Sequence, residues 1–191
     1  MDVDLDAENE DLTEVPFSDE IPIEDDESSQ YTADNDDERL DVQIPVVEMA
    51  LCIFTGHSDS VYKAVVNPKI PGQVISGGGD DKGYLWRYSC NGDQPGYGTV
   101  VEQVELLGHQ DTVTSVGFNF DGTLALTGSY DGTVRIWNTT SGSLVQVLEG
   151  PVDVEWAEFH SKGNAVLAGS KDGTIWMWMA HNGQCVQVFA G

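Results

Sequence analysis

A pattern built around Asp and Trp occurs three times in this chain, and it limits the fold more than any other feature. In each copy the Asp lies six residues before the Trp. The three pairs are Asp80 and Trp86, Asp131 and Trp137, and Asp172 and Trp178. The tryptophans are 51 and 41 residues apart, and the longer interval holds an inserted loop between residues 89 and 98. A period near forty residues indicates an array of small structural units that bury their apolar faces against one another.

The best-preserved copy, residues 108–137, is predicted to form three short strands. Apolar residues alternate with small or polar ones in three runs, the period of a strand with one buried face. Asn119–Gly122 and Tyr130–Gly132 separate the runs. Asp-Gly at such places favours a tight turn, because the glycine adopts a positive φ. The sequence therefore predicts an antiparallel meander that recurs along the chain.

Gly-His at the start of the first two repeats and the Trp that closes each third strand resemble the WD-repeat family. Arg87, Asn138 and Met179 follow the tryptophans, where that family often has Asp. The resemblance implies an all-β fold of four-stranded propeller blades. We expect three blades in an incomplete ring, preceded by a disordered acidic N-terminal tail. Since complete propellers usually have at least four blades, we expect the chain to be an N-terminal fragment of a longer protein.

The tail is predicted from its charge. Residues 1–50 hold 19 of the 33 acidic residues and one basic residue, Arg39. Like-charge repulsion and sparse apolar content cannot offset the entropy of ordering. We expect the tail to be either a solubilising segment or an acidic-hydrophobic segment with Phe17, Ile21 and Ile23 as its anchors. In the second case it docks on a basic partner or masks the protein's own binding face. The predicted boundaries are 1–45 for the tail, 46–191 for the partial propeller, 46–55 for an outer strand without a blade, 56–107 for blade one, 108–149 for blade two and 150–191 for blade three.

Composition limits the kinds of partner that the protein can bind and the cell compartments in which it is expected. The net charge of −25 repels nucleic-acid backbones and favours basic proteins, so we expect no direct binding of nucleic acid. Three scattered cysteines form no C-x-x-C pair, which argues against a disulfide framework or a zinc site. The N-terminus lacks a signal-peptide pattern, and no apolar run is long enough to span a bilayer. We therefore expect a protein of the cytoplasm, with the nucleus as a second compartment, and no membrane insertion.

Two repeats carry matching sets of polar residues that could form a site. Their types are those of a Ser-His-Asp triad, but the resemblance implies a structural hydrogen-bond network that ties each blade together, ending on the Trp. A copy in each blade also argues against a single catalytic centre. The third repeat has Gly150-Pro151 in place of Gly-His and Ala168 in place of the hydroxyl residue. The predicted network residues are His57, Ser76, Asp80 and Trp86, then His109, Thr127, Asp131 and Trp137, then Asp172 and Trp178.

The resemblance also implies that partners dock on the rim of the propeller. The rim positions lie three and five residues after the His and directly before the network Asp. We predict a partner-binding rim of Ser60, Tyr62, Thr112, Thr114, Tyr130, Asp153, Glu155 and Lys171, with Gly79 at the remaining position. Acidic and tyrosine side chains there suit an Arg-bearing segment, whereas the alternative is an ordinary solvated rim.

Three functions follow for comparison. The first is a protein-interaction scaffold, a chaperone-type binder of a basic client such as a large-subunit ribosomal protein during ribosome assembly. Within the WD-repeat family, the acidic tail and the Val-Glu-Trp and Trp-Met-Trp segments of the third repeat resemble a subfamily that includes such a chaperone. The second is a scaffold in signalling and cell migration, also linked to that subfamily. The third is an enzyme, but the sequence offers no unique set of residues that could form an active site. We expect no catalytic residue, cofactor or metal.

Overall fold

The computed structural model describes residues 52–90 and 98–191. Every regular element within these two ranges is a β-strand, and the ranges contain no helix long and apolar enough to cross a membrane. The strands are β1 Val61–Val66, β2 Gln73–Gly78, β3 Gly83–Cys90, β4 Gly98–Leu106, β5 Val113–Phe118, β6 Leu124–Ser129, β7 Val134–Asn138, β8 Leu144–Leu148, β9 Val154–Phe159, β10 Ala165–Ser170, β11 Thr174–Met179 and β12 Cys185–Ala190. The predicted tail, most of the predicted outer strand and the core of the inserted loop lie outside the described residues.

The twelve strands form three separate four-stranded antiparallel sheets, and each sheet follows the order of the chain. We call β1–β4 blade one, β5–β8 blade two and β9–β12 blade three. The prediction of three all-β blades is confirmed, and together they do not close a ring within the described ranges.

The turn between the second and third strands shows how the repeat fixes backbone geometry. Gly132 and Gly173 adopt φ of 82° and 83° directly after the network Asp of blades two and three. Blade one has Asp81 at this place, with φ of 62°, and it is the one non-glycine residue with positive φ in the described ranges. Asp tolerates the left-handed region better than most residues, so the turn survives the loss of glycine.

The apolar core lies between blades rather than within one blade. The cluster between blades one and two contains Ile75, Leu85, Leu106, Val113, Val116, Ala125 and Trp137. The cluster between blades two and three contains Leu126, Val134, Ile136, Leu148, Val154, Ala157, Val166, Ala168, Trp178 and Ala180. Each sheet thus buries its faces only where a neighbouring sheet covers them, as expected for repeat proteins.

A glycine on the second strand of one blade receives two small aliphatic side chains from the first strand of the next. A Cβ on Gly77 would collide with Val113 and Val116. A Cβ on Gly128 would lie 3.0 Å from Val154 Cγ1 and 3.1 Å from the Ala157 Cβ. We call this contact the knob-and-notch contact, in which the aliphatic pair is the knob and the glycine is the notch.

Buried amides join the blades at the opposite edge from the turns that hold the network Asp residues. Asn67 Nδ2 donates to the Gly122 carbonyl at 2.8 Å, and Gln73 Nε2 donates to the Thr139 carbonyl at 2.8 Å. Asn119, which corresponds to Asn67, donates from Nδ2 to the Asn164 side chain of blade three at 3.0 Å. These bonds satisfy polar groups that packing would otherwise leave without partners.

The segment before blade one differs from the prediction. Residues 52–57 form no strand, so the outer strand expected over 46–55 is absent from its described part. A strand needs a hydrogen-bonded neighbour, and no such neighbour pairs with these residues in the described ranges. Phe54 instead stacks on Trp86 with ring centroids 4.7 Å apart. Leu106 and Leu148, also two residues before a Gly, pack in the clusters of Trp137 and Trp178.

Replacing Gly128 by Ala tests the knob-and-notch contact. The added methyl group would be forced against Val154 and Ala157, whereas at Gly117 the nearest atom to an added Cβ is Leu126 Cγ at 3.9 Å. We expect Gly128→Ala to lower the free energy of unfolding by about 1–2 kcal/mol relative to Gly117→Ala. Urea denaturation of both variants measures this difference. Equal stability of the two variants would contradict tight packing at the notch.

Candidate functional site

A chain of hydrogen bonds crosses blade two from its turn to its Trp. His109 Nδ1 lies 2.9 Å from Asp131 Oδ2, and His109 Nε2 lies 2.7 Å from Thr127 Oγ1. Trp137 Nε1 donates to the same hydroxyl at 2.9 Å. The Thr127 and Trp137 side chains are buried between blades one and two, so the chain of bonds is shielded from water along most of its length.

For a neutral His109 ring, the donor and acceptor groups of the network fix the direction of every bond. A carboxylate only accepts, so His109 Nδ1 carries the proton that it shares with Asp131. The Trp137 indole only donates, so the Thr127 hydroxyl accepts from it and gives its own proton to His109 Nε2. Each buried polar atom of this chain of bonds is thereby satisfied.

Blade one repeats this arrangement. His57 Nδ1 lies 2.9 Å from Asp80 Oδ1, and His57 Nε2 lies 2.9 Å from Ser76 Oγ. Trp86 Nε1 donates to Ser76 Oγ at 3.2 Å. The structure therefore brings together the two predicted sets of four residues, each within one blade.

Blade three does not form this network around Asp172 and Trp178. Ala168 has no hydroxyl group, and Trp178 is buried among apolar side chains of the core. Asp172 accepts hydrogen bonds from the backbone and the hydroxyl of Thr174, and Trp176 Nε1 donates to that hydroxyl at 2.8 Å. A shorter chain of hydrogen bonds, from Trp176 through Thr174 to Asp172, replaces the histidine-centred network of the other two blades.

Thr133, Thr174 and Trp176 are structural residues that the spacing argument missed. Thr133 donates to Asp131 Oδ1 from its backbone at 2.9 Å and from its hydroxyl at 2.7 Å, as Thr174 does to Asp172. The repeated tripeptide Asp-Gly-Thr was the available signal, because a hydroxyl two residues after Asp commonly bonds to it.

Asp131 is the most strongly perturbed acid of these networks. Burial alone would raise the pKa of its carboxyl group, but the hydrogen bonds from His109 and Thr133 outweigh burial and hold that pKa far below its usual value of 3.8. The pKa of Asp80 is lowered in the same manner: burial opposes the shift, and hydrogen bonds from His57 and the Ser58 backbone dominate. Both carboxylates are ionised at neutral pH.

The rim positions of the three blades are structurally equivalent. The Gly79 amide donates to the Ser60 carbonyl at 2.9 Å. In the same way the Tyr130 amide donates to the Thr112 carbonyl at 3.1 Å, and the Lys171 amide donates to the Asp153 carbonyl at 3.1 Å. The same backbone bond therefore sets the residue before the network Asp beside the start of the first strand in every blade, which places the predicted rim residues along one edge of the array.

The predicted rim residues differ in their access to solvent. Tyr62 is 59% exposed and Tyr130 is 38% exposed, and Ser60 is also exposed. Thr112 is half-buried. Thr114 is half-buried as well, and its hydroxyl donates to the Val154 carbonyl at 2.8 Å across the junction of blades two and three. Thr114 thus joins two blades rather than facing a partner.

Asp153 and Lys171 form an ion pair on the rim of blade three, with Nζ 3.0 Å from Oδ2. Hydrogen bonding to Asp153 and its charge raise the pKa of the Lys171 ammonium group, and the nearby Glu155 and Tyr130 side chains add to the shift. The rim of blade three is therefore less free to accept a cation than its two acidic residues suggested. Glu155 remains exposed and takes part in none of the ion pairs found in residues 52–90 and 98–191.

Asp59 and Asp111 add exposed carboxylates to the rim that the sequence argument missed. Each lies two residues after the His and accepts a hydrogen bond from the next backbone amide, at 2.6 Å for Asp59 and 2.7 Å for Asp111. Their identical offset from His was the signal that could have found them. No group of three His, Cys, Asp or Glu side chains in the described ranges is placed to hold a metal ion.

Family comparison agrees with this architecture. Residues 101–138 and 142–179 match the model of the WD domain, G-beta repeat. These segments contain WD repeats, and proteins built from such repeats are typically protein-interaction scaffolds. The inner strands of blade one lie outside both matches, although they carry the same hydrogen-bond network.

The chain is similar to angio-associated migratory cell protein, a WD-repeat protein. The proteins of this name from Homo sapiens, Pongo abelii and Canis lupus familiaris are each 35% identical to it over 109 residues. The matched stretch covers 57% of this chain and 23% of each relative.

Replacing Asp131 by Asn tests the energetic weight of the network. The variant keeps a turn acceptor for Thr133 but loses the charge that faces His109, and hydrogen bonds to charged groups contribute about 1.5–3 kcal/mol. We expect Asp131→Asn to lower the free energy of unfolding by about 1.5 kcal/mol or more. Asp172→Asn is the matched control, since Asp172 makes the same turn bonds without a histidine. If urea denaturation shows that both variants lose equal free energy of unfolding, the predicted contribution of the histidine network is contradicted.

The lowered pKa of Asp131 also predicts a pH dependence. A group with a folded-state pKa below its unfolded value contributes its full stability above the unfolded value of 3.8 and loses that contribution as the pH falls below it. We expect the stability difference between the parent chain and Asp131→Asn to be constant near neutral pH and to narrow below about pH 4. Urea denaturation across this range measures it, and a difference that widens in acid would contradict the assignment.

Proposed function

We propose that this chain is a protein-interaction scaffold whose rim binds a basic segment of a partner protein. The observation that carries the proposal is the composition of the exposed rim. Tyr62 and Tyr130 offer aromatic faces beside the exposed carboxylates of Asp59, Asp111 and Glu155. An Arg side chain can pair with a carboxylate and stack on a tyrosine at the same time.

The charge balance supports a basic partner. Residues 51–191 hold 14 acidic and 7 basic residues, so the propeller portion is acidic even without the strongly acidic first 50 residues. Two of the rim-side bases are already engaged, because Lys82 pairs with Glu105 at 2.5 Å and Lys171 with Asp153. Such a surface accelerates encounter with a basic segment and disfavours acidic partners.

A newly made basic protein that awaits assembly, such as a large-subunit ribosomal protein, is the client that best fits this chemistry. Acidic surface would shield its cationic segments from other polyanions until assembly. This role would place the chain in the cytoplasm or the nucleus, where such clients are made and assembled.

The histidine networks favour a binding protein over an enzyme, because their hydroxyl groups are not available to a substrate. The Ser76 and Thr127 hydroxyls are buried, and each accepts from a Trp while bonding to a His. Neither hydroxyl is open to a substrate, which is the first requirement of a nucleophile.

A second candidate function is a scaffold in cell migration, favoured by the name of the relatives to which the chain is similar. The two candidates differ in salt dependence. A basic client held by rim carboxylates dissociates as ionic strength rises, whereas apolar contacts persist. A pull-down from cell lysate at low and then at raised salt separates them, because salt-sensitive enrichment of ribosomal or other basic proteins favours the chaperone and salt-resistant partners favour the second candidate.

Titration of the full chain with an oligo-arginine peptide tests the rim itself. Because the acidic N-terminal residues also attract such a peptide, the informative quantity is the change between variants. We expect Tyr62→Ala and Tyr130→Ala each to weaken binding about two- to fivefold, the loss of one exposed cation–π contact. Phe120→Ala, an exposed aromatic side chain at the opposite edge of blade two, is the control and should leave the affinity unchanged.

A charge reversal provides the second arm of this test. Glu155→Lys should weaken binding severalfold more than Glu158→Lys, because both residues are exposed on β9 but only Glu155 lies at the rim. Equal effects of the tyrosine variants and Phe120→Ala, or of the two charge reversals, would contradict a rim site.

A further inference from the structure

A groove lies between blades one and two, at the edge opposite the turns that hold the network Asp residues. Its volume is about 260 Å³. One wall comes from Ile70 and the strands β2, β3 and β4, and the other comes from the residues directly after β7. Gln73 lines the groove and joins the two walls through its 2.8 Å hydrogen bond to the Thr139 carbonyl. The groove therefore belongs to the junction of two four-stranded blades and is shaped from both sides.

The wall from blade one is largely apolar. Leu85 is buried and Ile70 is half-buried, while Val104 is 40% exposed. The groove is thus open to solvent along Val104. Its volume is below the range of about 300–1,000 Å³ that is typical of pockets enclosing a whole small molecule. A groove of this kind suits one or two side chains of an extended segment.

Arg87 is the cation of this groove, and its guanidinium group lacks close partners. Its Nε atom is buried and has no hydrogen-bond partner within the described residues. Its Nη1 atom lies 3.8 Å from Glu102 Oε2, which is beyond hydrogen-bond distance. Because a buried donor without an acceptor is costly, the unpaired Nε points to an acceptor that arrives from outside the blade.

The structure of the repeat does not explain an arginine at this position. Arg87 directly follows Trp86, where the WD-repeat family often has Asp. Asn138 is its counterpart after Trp137, and it accepts hydrogen bonds from the backbone amides of Thr140 and Ser141 at 3.0 and 2.9 Å. Asn138 therefore serves the turn of its own blade, whereas the Arg87 guanidinium serves no such turn in the described structure.

The charge at the groove is opposite to that of the protein as a whole. Lys69 directly precedes Ile70, is exposed and takes part in none of the ion pairs found in residues 52–90 and 98–191. Glu102 is the acidic side chain that lines the groove, and it is 67% exposed. Two cations and one anion leave the groove positive, although residues 51–191 hold 14 acidic and 7 basic residues. Such a site attracts a carboxylate.

We propose that this groove binds an acidic segment of a partner protein, in which a glutamate lies next to an aliphatic residue. The carboxylate accepts from Nε and one Nη atom of Arg87 side by side, the geometry in which Arg pairs best with a carboxylate. The aliphatic side chain packs on Leu85 and Val104. The rim and the groove lie at opposite edges, so the scaffold offers one site to basic segments and a separate site to acidic ones.

Saturation-transfer NMR of the full chain with the peptide acetyl-Gly-Ile-Glu-Gly-amide tests the groove. We expect Arg87→Gln to weaken binding of the peptide about fivefold or more, because it removes the charge and the paired donors. Lys162→Gln is the matched control. It removes the same charge from an exposed residue between β9 and β10 and should change the affinity less than about twofold. Equal weakening by the two variants would overturn the site, as would the absence of binding to the parent chain.

A double-mutant cycle shows whether Arg87 pairs with the glutamate directly. The peptide acetyl-Gly-Ile-Gln-Gly-amide should bind the parent chain about fivefold more weakly, and it should bind the parent chain and Arg87→Gln equally well. Effects that simply multiply would contradict a direct pair. The peptide acetyl-Gly-Ser-Glu-Gly-amide should also bind more weakly, and equal binding of the Ile and Ser peptides would contradict the apolar wall.

Three further measurements complete the test. Near-ultraviolet circular dichroism checks folding, and if Arg87→Gln fails it, Thr140→Glu replaces it, because Thr140 is exposed and a carboxylate there repels the ligand. The small acid 4-methylpentanoate lacks a peptide backbone, so binding as tight as that of the peptide would overturn recognition of a segment. Arg87→Gln should leave the affinity for oligo-arginine unchanged, which separates failure of the groove from failure of the rim.

Discussion

The packing of a small aliphatic pair onto a strand glycine is the contact on which the other features of this protein depend. A four-stranded sheet has two faces, and it buries a face only where another sheet approaches closely. The missing side chains of Gly77 and Gly128 allow that approach. The approach then removes the Thr127 hydroxyl and the Trp137 indole from water, so the network of blade two owes its shielding to blade one. In blade one Phe54 covers Trp86 in place of a sheet.

Burial explains why the networks are either complete or replaced. A buried hydroxyl or imidazole without its partner costs about 1–3 kcal/mol, whereas removing both partners together is nearly neutral. Blade three follows the second course. It lacks the histidine, and Ala168 stands where blade two has Thr127, so Trp178 packs among apolar side chains without an orphaned polar neighbour. The Asp-Gly-Thr turn survives because Thr174 satisfies Asp172 locally.

The sequence predicted the parts of the structure that follow from spacing. Period-two alternation and Asp-Gly turns gave the meanders, and equal offsets gave the members of the two histidine networks. Spacing carries no information on which neighbours a side chain selects when several are within reach. The ion pair of Asp153 with Lys171 and the position of Trp156 over Gly169 depend on such choices between strands. Residues 52–55 of the outer strand expected before blade one form no strand, because an apolar pattern in the sequence cannot supply a partner strand.

The rim and the contacts between blades are distinct surfaces, but they use residues that are adjacent in sequence. Val154 of the knob lies between Asp153 and Glu155, and at the junction of blades two and three Tyr130 is close enough to Lys171 to influence its pKa. Val61 likewise lies between Ser60 and Tyr62. The packing between blades therefore also positions the acidic and tyrosine side chains of the rim, so the binding surface depends on the same contacts that hold the blades together.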